Sequence, residues 1–255
     1  MRVSINAVFT CALLCAGVLA SPCAAQGPAG LRVATATPAV APTPKFTLVL
    51  FWRENSPATQ EMTEALKRAV AQRSQRAEWI AINVNDPSQR AVVERYHVER
   101  APMPMVLCIA PNGAVTGGIT RQLTDAAIEK ALVTPKMTEA TKALQDKRIA
   151  VIHVKRDPKL ALPAGAAGFI ADPAFKDRST VINVSLDDAA EARFVKEMEF
   201  KPEELSDSMI VVLAPPGVLV GKYQGSVSTE QIASDLHAAG KCCNDPNCKH
   251  NKKGQ

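Results

Sequence analysis

From the third strand to the last helix, two copies of one pattern run through this chain at a constant separation. Met105-Val-Leu-Cys-Ile-Ala-Pro-Asn-Gly113 returns as Met209-Ile-Val-Val-Leu-Ala-Pro-Pro-Gly217. Thr124-Asp-Ala-Ala-Ile-Glu-Lys-Ala-Leu132 returns, at that same separation, as Ser228-Thr-Glu-Gln-Ile-Ala-Ser-Asp-Leu236. Ala81-Ile-Asn-Val84 matches Val181-Ile-Asn-Val184, and Ile149-Ala-Val-Ile-His-Val154 opens the second copy as Phe46-Thr-Leu-Val-Leu-Phe-Trp52 opens the first. Independent elements that agree on one spacing mark a duplication. Apolar runs alternate with amphipathic stretches, which predicts an α/β chain of two tandem units. The length of 255 residues suits two small domains, and with aromatics at only 4% their cores must be built from Val, Ile, Leu and Ala.

In the first copy, the run from Phe46 to Trp52 reads as a buried strand. Ser56-Pro57 follows as a helix start, with Ser at the N-cap and Pro where its missing N–H is harmless. The helix over 57–74 puts Met62, Leu66, Ala69 and Val70 on one face. Residues 79–84 form the next strand. Asp86-Pro-Ser-Gln89 then predicts a capping box, Gln89 reaching back to the cap, ahead of a helix buried through Val92, Val93 and Tyr96. A strand over 105–110, a Pro-Asn-Gly turn, a partner strand over 114–119 and a helix capped by Thr124 complete the unit.

The junction Trp52-Arg-Glu-Asn-Ser56-Pro57, with a proline ahead of the third strand, resembles the thioredoxin-like superfamily. The resemblance implies two tandem thioredoxin-like domains, each a central mixed sheet flanked by helices. It implies a cis-proline beside the junction. Pro102 and Pro104 compete for that place, and Pro104 is preferred because it abuts the strand. In that family a Cys-x-x-Cys pair follows the tryptophan. Here Arg53, Glu54, Asn55 and Ser56 stand there, and none can exchange a disulfide. The resemblance therefore implies the fold without its redox activity, and a peptide groove formed by Trp52, Arg53, Glu54, Asn55, Ser56 and Pro104 that would serve a protein or peptide partner.

The second copy departs further. Lys155-Arg-Asp-Pro158 follows its first strand, Ser208 stands where the first copy has proline, and the Ala-, Gly- and Pro-rich stretch 160–175 predicts a short or broken helix. The expected domains are 46–133 and 148–239, joined by a helical spacer over 134–147.

The ends read differently. Residues 1–25 have the basic start, apolar centre and Cys23-Ala-Ala25 close of a secretory signal, which predicts export to a periplasmic or extracellular space and no membrane span after cleavage. Residues 26–45 read as a Pro/Ala-rich linker. The tail 240–255 holds Cys242, Cys243, Cys248 and His250 among lysines. Thiolates with imidazole suit zinc or copper, although this spacing is not that of a zinc finger; the competing readings are a disulfide-tied end and a thiol–disulfide redox tail.

A net charge of +5, with no basic stripe interleaved with aromatics, argues against nucleic acid as a partner. There is no Gly-rich phosphate loop, no His-Glu-x-x-His and no nucleophile elbow. Cys108 reads as a buried structural thiol, Met103 and Met105 as packing residues, and His97, His153 and His237 as structural members of regular elements. No catalytic residue is expected.

Overall fold

A computed structural model describes residues 44–120, 122–200, 203, 205 and 207–241. Residues 1–25, read above as a secretory signal, almost all of the expected linker and the tail cysteines Cys242, Cys243 and Cys248, with His250, lie outside these residues.

The first lobe runs β1 (Phe46–Trp52), α1 (Pro57–Ala71), β2 (Ala77–Asn83), a 310 turn (Pro87–Gln89) leading into α2 (Arg90–Arg95), β3 (Met105–Ile109), β4 (Val115–Ile119) and α3 (Asp125–Ala131). Its sheet has the order β2-β1-β3-β4. β1 runs parallel to β2 and antiparallel to β3, and β3 runs antiparallel to β4. Because β1 lies between two strands and under helices on both faces, it needs apolar side chains in both directions, which explains its unbroken run. Leu48 and Leu50 pack with Met62, Leu66 and Ile128 on one face. Val49 and Phe51 pack with Ile82, Val92 and Val93 on the other.

The second lobe repeats the plan. After α4 (Pro135–Gln145) come β5 (Ile149–Lys155), α5 (Ala164–Ala171), β6 (Ser179–Ser185), α6 (Ala192–Glu197), β7 (Ser208–Ala214), β8 (Val218–Gln224) and α7 (Thr229–Lys241). The sheet order β6-β5-β7-β8 and its strand directions match those of the first. Two four-stranded mixed sheets, each flanked by helices, fit two tandem domains. Both sheets belong to one compact unit.

The predicted caps are in place. Ser56 Oγ accepts from Thr59 N at 3.3 Å, Thr124 Oγ1 from Ala127 N at 3.1 Å, and Ser228 Oγ from Gln231 N at 3.1 Å. The capping box after Asp86 is different from the expectation. Asp86 Oδ1 takes Ser88 N at 2.9 Å, but buried Gln89 reaches past the cap to accept from Asn83 N at 2.8 Å. Three residues of 310 geometry turn the Gln89 side chain toward the end of β2.

α4, inside the stretch read as a spacer, is part of the second core: its Ala140 and Ala143 pack with Ile152, Ile182 and Phe194. It also holds the first lobe. Asn112 Nδ2 donates to Thr138 O at 2.8 Å, and the Gln145 amide exchanges two hydrogen bonds with the backbone of Val115. α5 is short, as expected, and regular. His97 lies outside any helix, in the turn after α2 with φ 52°, and Glu199 takes the same φ at the matching turn of the second lobe. Among the described residues no helix is long and apolar enough to cross a membrane.

Candidate functional site

At the C-terminal end of β1 the backbone turns through Arg53–Ser56 into α1. Thr59 Oγ1 donates to Glu54 O at 2.8 Å and closes this turn onto the helix. Asn85 Nδ2, from the loop after β2, donates to Arg53 O at 3.3 Å. Arg53 Nη2 donates to Glu99 O at 2.7 Å, tying the turn to the loop that precedes β3. That loop ends in Met103–Pro104, a cis peptide bond. Phe51 pairs with Met105 at the last rung of the antiparallel ladder, so Trp52 and Pro104 are the next residues of the two segments at that end of the sheet. The structure thus places Trp52, Arg53, Glu54, Asn55, Ser56 and Pro104 at one end of the first sheet.

Their exposures differ. Arg53, Glu54 and Asn55 are exposed, whereas Trp52, Ser56 and Pro104 are half-buried. Trp52 packs against the cluster under α1, with its Nε1 buried and without a hydrogen-bond partner among the described residues. The Ser56 hydroxyl is occupied as a helix cap, at 3.2 Å from Thr59 Oγ1. A serine nucleophile needs an imidazole or amine base within hydrogen-bond reach, and its partners here are Thr59 backbone and hydroxyl. The lobe's cysteine is no substitute. Cys108 is 1% exposed, and burial pushes its thiol up to about 11, so almost no thiolate forms at neutral pH.

The matching turn of the second lobe is built otherwise. Lys155 Nζ donates to Leu160 O at 2.7 Å, and Asp157 Oδ1 accepts from Lys159 N at 2.8 Å, which folds the loop down ahead of α5. On β5, His153 takes the place that Leu50 holds on β1, one residue before the strand partners of Met209 and Met105. It is 1% exposed, with Nε2 unpartnered among the described residues. Burial lowers its pKa from the ordinary 6.5, and the Lys155 charge lowers it further, against a hydrogen bond with Asn183. A sequence pattern of apolar residues around one histidine did not reveal this; only alignment with Leu50 does.

The sign of the consequence is definite. The unfolded chain takes up a proton at His153 near 6.5, while the folded chain resists it to lower pH. Stability from this group is therefore full above about pH 6.5 and is lost as pH falls below it. His153→Leu, which copies the first lobe, is expected to flatten the acid limb of a urea-midpoint-against-pH curve and to raise the midpoint below pH 6. An unchanged slope would assign the acid sensitivity to other groups.

Among the described residues no group of three or more His, Cys, Asp or Glu side chains is arranged to hold a metal ion. No family model matches the chain, and no curated protein matches it. Among solved structures, one titled as the structure of a malarial protein is similar over 34% of this chain and 93% of its own, at 7% identity and a TM-score of 0.30.

Proposed function

We propose that this chain is an exported, redox-silent pair of thioredoxin-like domains that holds a protein or peptide partner, with Trp52–Ser56 and Pro104 of the first lobe as the gripping surface. One observation carries the reading: the strand-to-helix junction keeps its Ser-capped helix, with Trp52 and Pro104 at the same end of the sheet, yet has no cysteine in it. A junction held in shape without its reactive group is suited to recognition. The exposed Arg53, Glu54 and Asn55 offer hydrogen-bonding partners of both kinds, and Trp52 and Pro104 offer apolar surface. Export follows from the signal-like residues 1–25. Two further features support the two-domain thioredoxin-like reading: the shared sheet order and the constant repeat spacing.

A library of extended peptides, screened by fluorescence anisotropy, tests this. The chain from residue 26 onward is expected to bind a subset, and Arg53→Glu with Trp52→Ala to weaken those by at least about tenfold, or about 1.4 kcal/mol. Far-UV circular dichroism and a melting curve separate loss of binding from loss of fold. Equal binding by the double variant would move the partner elsewhere, and reduction of insulin by dithiothreitol accelerated by the chain would end the redox-silent reading.

A further inference from the structure

A second site lies at the other end of the second lobe, where β5 begins and the β7–β8 turn closes. A hollow of about 880 Å3 opens there. Its walls are apolar: Leu144 at the end of α4, Ile149, Phe175, Pro215 and Leu236 of α7. Volumes of about 300–1,000 Å3 with mostly apolar walls and a few polar groups are what small-ligand sites have.

The charged groups at its edge, Lys147 and Arg178, share one sign, and no carboxylate lines it among the described residues; Gln145 and His237 are its other polar neighbours. The nearest acid in sequence to Lys147, Asp146, is engaged by Lys142. Arg148, beside Lys147, spends its guanidinium on Thr180 Oγ1 and the carbonyls of Asp177 and Ser179. Lys147 and Arg178 are exposed, and among the described residues neither side chain takes part in an ion pair. Lys147 sits at φ 61°, a left-handed position that glycine adopts without the steric penalty other residues bear. Val218 and Leu219, immediately across the Pro215-Pro216 turn, are 42% and 49% exposed, the only large hydrophobic side chains so exposed among the described residues.

We infer that this hollow binds an amphiphilic carboxylate, an anion carried on a saturated chain of the fatty-acid type. The chain lies against Leu144, Phe175 and Leu236, and the carboxylate lies between Lys147 and Arg178. The guanidinium fork suits a carboxylate held by two parallel bonds, and the lysine adds a point charge. The chain's own tail, which begins where α7 ends, is a poorer occupant because Lys249, Lys252 and Lys253 would add like charge. The site is separate from the Trp52 turn and does not depend on that reading.

Isothermal titration of the full mature chain with decanoate, below its micellar concentration at neutral pH, is the test. One decanoate per chain is expected, with decyltrimethylammonium at least tenfold weaker. Lys147→Glu with Arg178→Glu is expected to weaken decanoate at least tenfold. Lys147→Gly should weaken it too while raising the melting temperature, since it removes a charge and relieves a left-handed backbone; a merely structural lysine would give only the second effect. Equal affinity for the cationic amphiphile, or unchanged decanoate binding in the double variant, would overturn the inference. So would binding that appears only after deletion of residues 242–255, because the tail would then be the occupant.

Discussion

Gly165→Ala is expected to destabilise the chain by about 3 kcal/mol, against the usual direction of a glycine-to-alanine change in a helix. In a free helix the alanine would be favoured by about 1 kcal/mol. Here a Cβ at Gly165 would lie 1.8 Å from Val227 O, 2.7 Å from Val227 C and 3.0 Å from Ser228 C. All three are backbone atoms and none can rotate aside. They belong to the segment that leads into Ser228, the cap of α7, so moving them disturbs the start of that helix. Thr229 Oγ1 donates to Gly165 O at 2.9 Å, which shows how close the two elements are. Withdrawing α5 instead would open the packing of Ala166 and Phe169 against Ile210 and Ile232. Gly168→Ala should be milder, since its Cβ meets the Thr229 hydroxyl, a side-chain atom, at 2.4 Å. Gly240→Ala is the control: nothing lies within 4 Å of its Cβ, and no loss is expected. Urea denaturation of the three variants decides the matter. A loss below about 1 kcal/mol for Gly165→Ala would show that the segment before α7 can yield.

That glycine illustrates what the sequence could and could not convey. The stretch 160–175 was legible as a weak helix, because Gly and Pro lower local propensity wherever they stand. The reason for its glycines was not legible, since it depends on Val227 and Ser228, distant in sequence and brought close only by the sheet. Strands and caps were local matters and could be read. β1 announced itself by its apolar run, and Ser56, Thr124 and Ser228 by the residue types that accept a helix N–H. The architecture of two similar sheets followed from the constant repeat spacing. The role of α4 was hidden because a short helix with small apolar residues gives no sign of which sheet it will cover. At the candidate site, the turn and Pro104 were found from one motif, but the Arg53–Glu99 tie was not, because a backbone carbonyl has no sequence signature. The hollow under Pro215 escaped for a related reason: its walls come from several separate segments. The tail cluster, legible as chemistry, lies outside the described residues.

Glu191→Ala is expected to cost about 2 kcal/mol, within the roughly 1–3 kcal/mol that leaving a buried donor without its partner costs. Glu191 is 2% exposed, on the 310 turn that precedes α6. Its Oε1 accepts from Lys136 N at 2.9 Å, in the first turn of α4. Thr134 Oγ1 accepts from Met137 N at 3.4 Å, so two of the helix's unpaired N–H groups have acceptors. In the first lobe the same repeat position is Gln89, which stays within its own lobe. The change from amide to carboxylate accompanies a change of task, from fastening β2 to fastening α4. Arg193, two residues on, donates to Glu129 O at 2.6 Å and Lys130 O at 2.9 Å, near the last turn of α3. The start of α6 therefore grips both the helix that ends the first lobe and the helix that begins the second. Alanine at 191 would leave Lys136 N without its acceptor and a void beside α4. Glu191→Gln keeps an acceptor in place at nearly the same volume, so it should cost about 1 kcal/mol or less. Beyond the midpoint shift, the alanine variant is expected to lower the cooperativity of urea unfolding, because α4 joins one core to the other. A single transition with an unchanged slope and a loss under 1 kcal/mol would mean that Asn112 and Gln145 alone suffice to hold α4 to the first lobe.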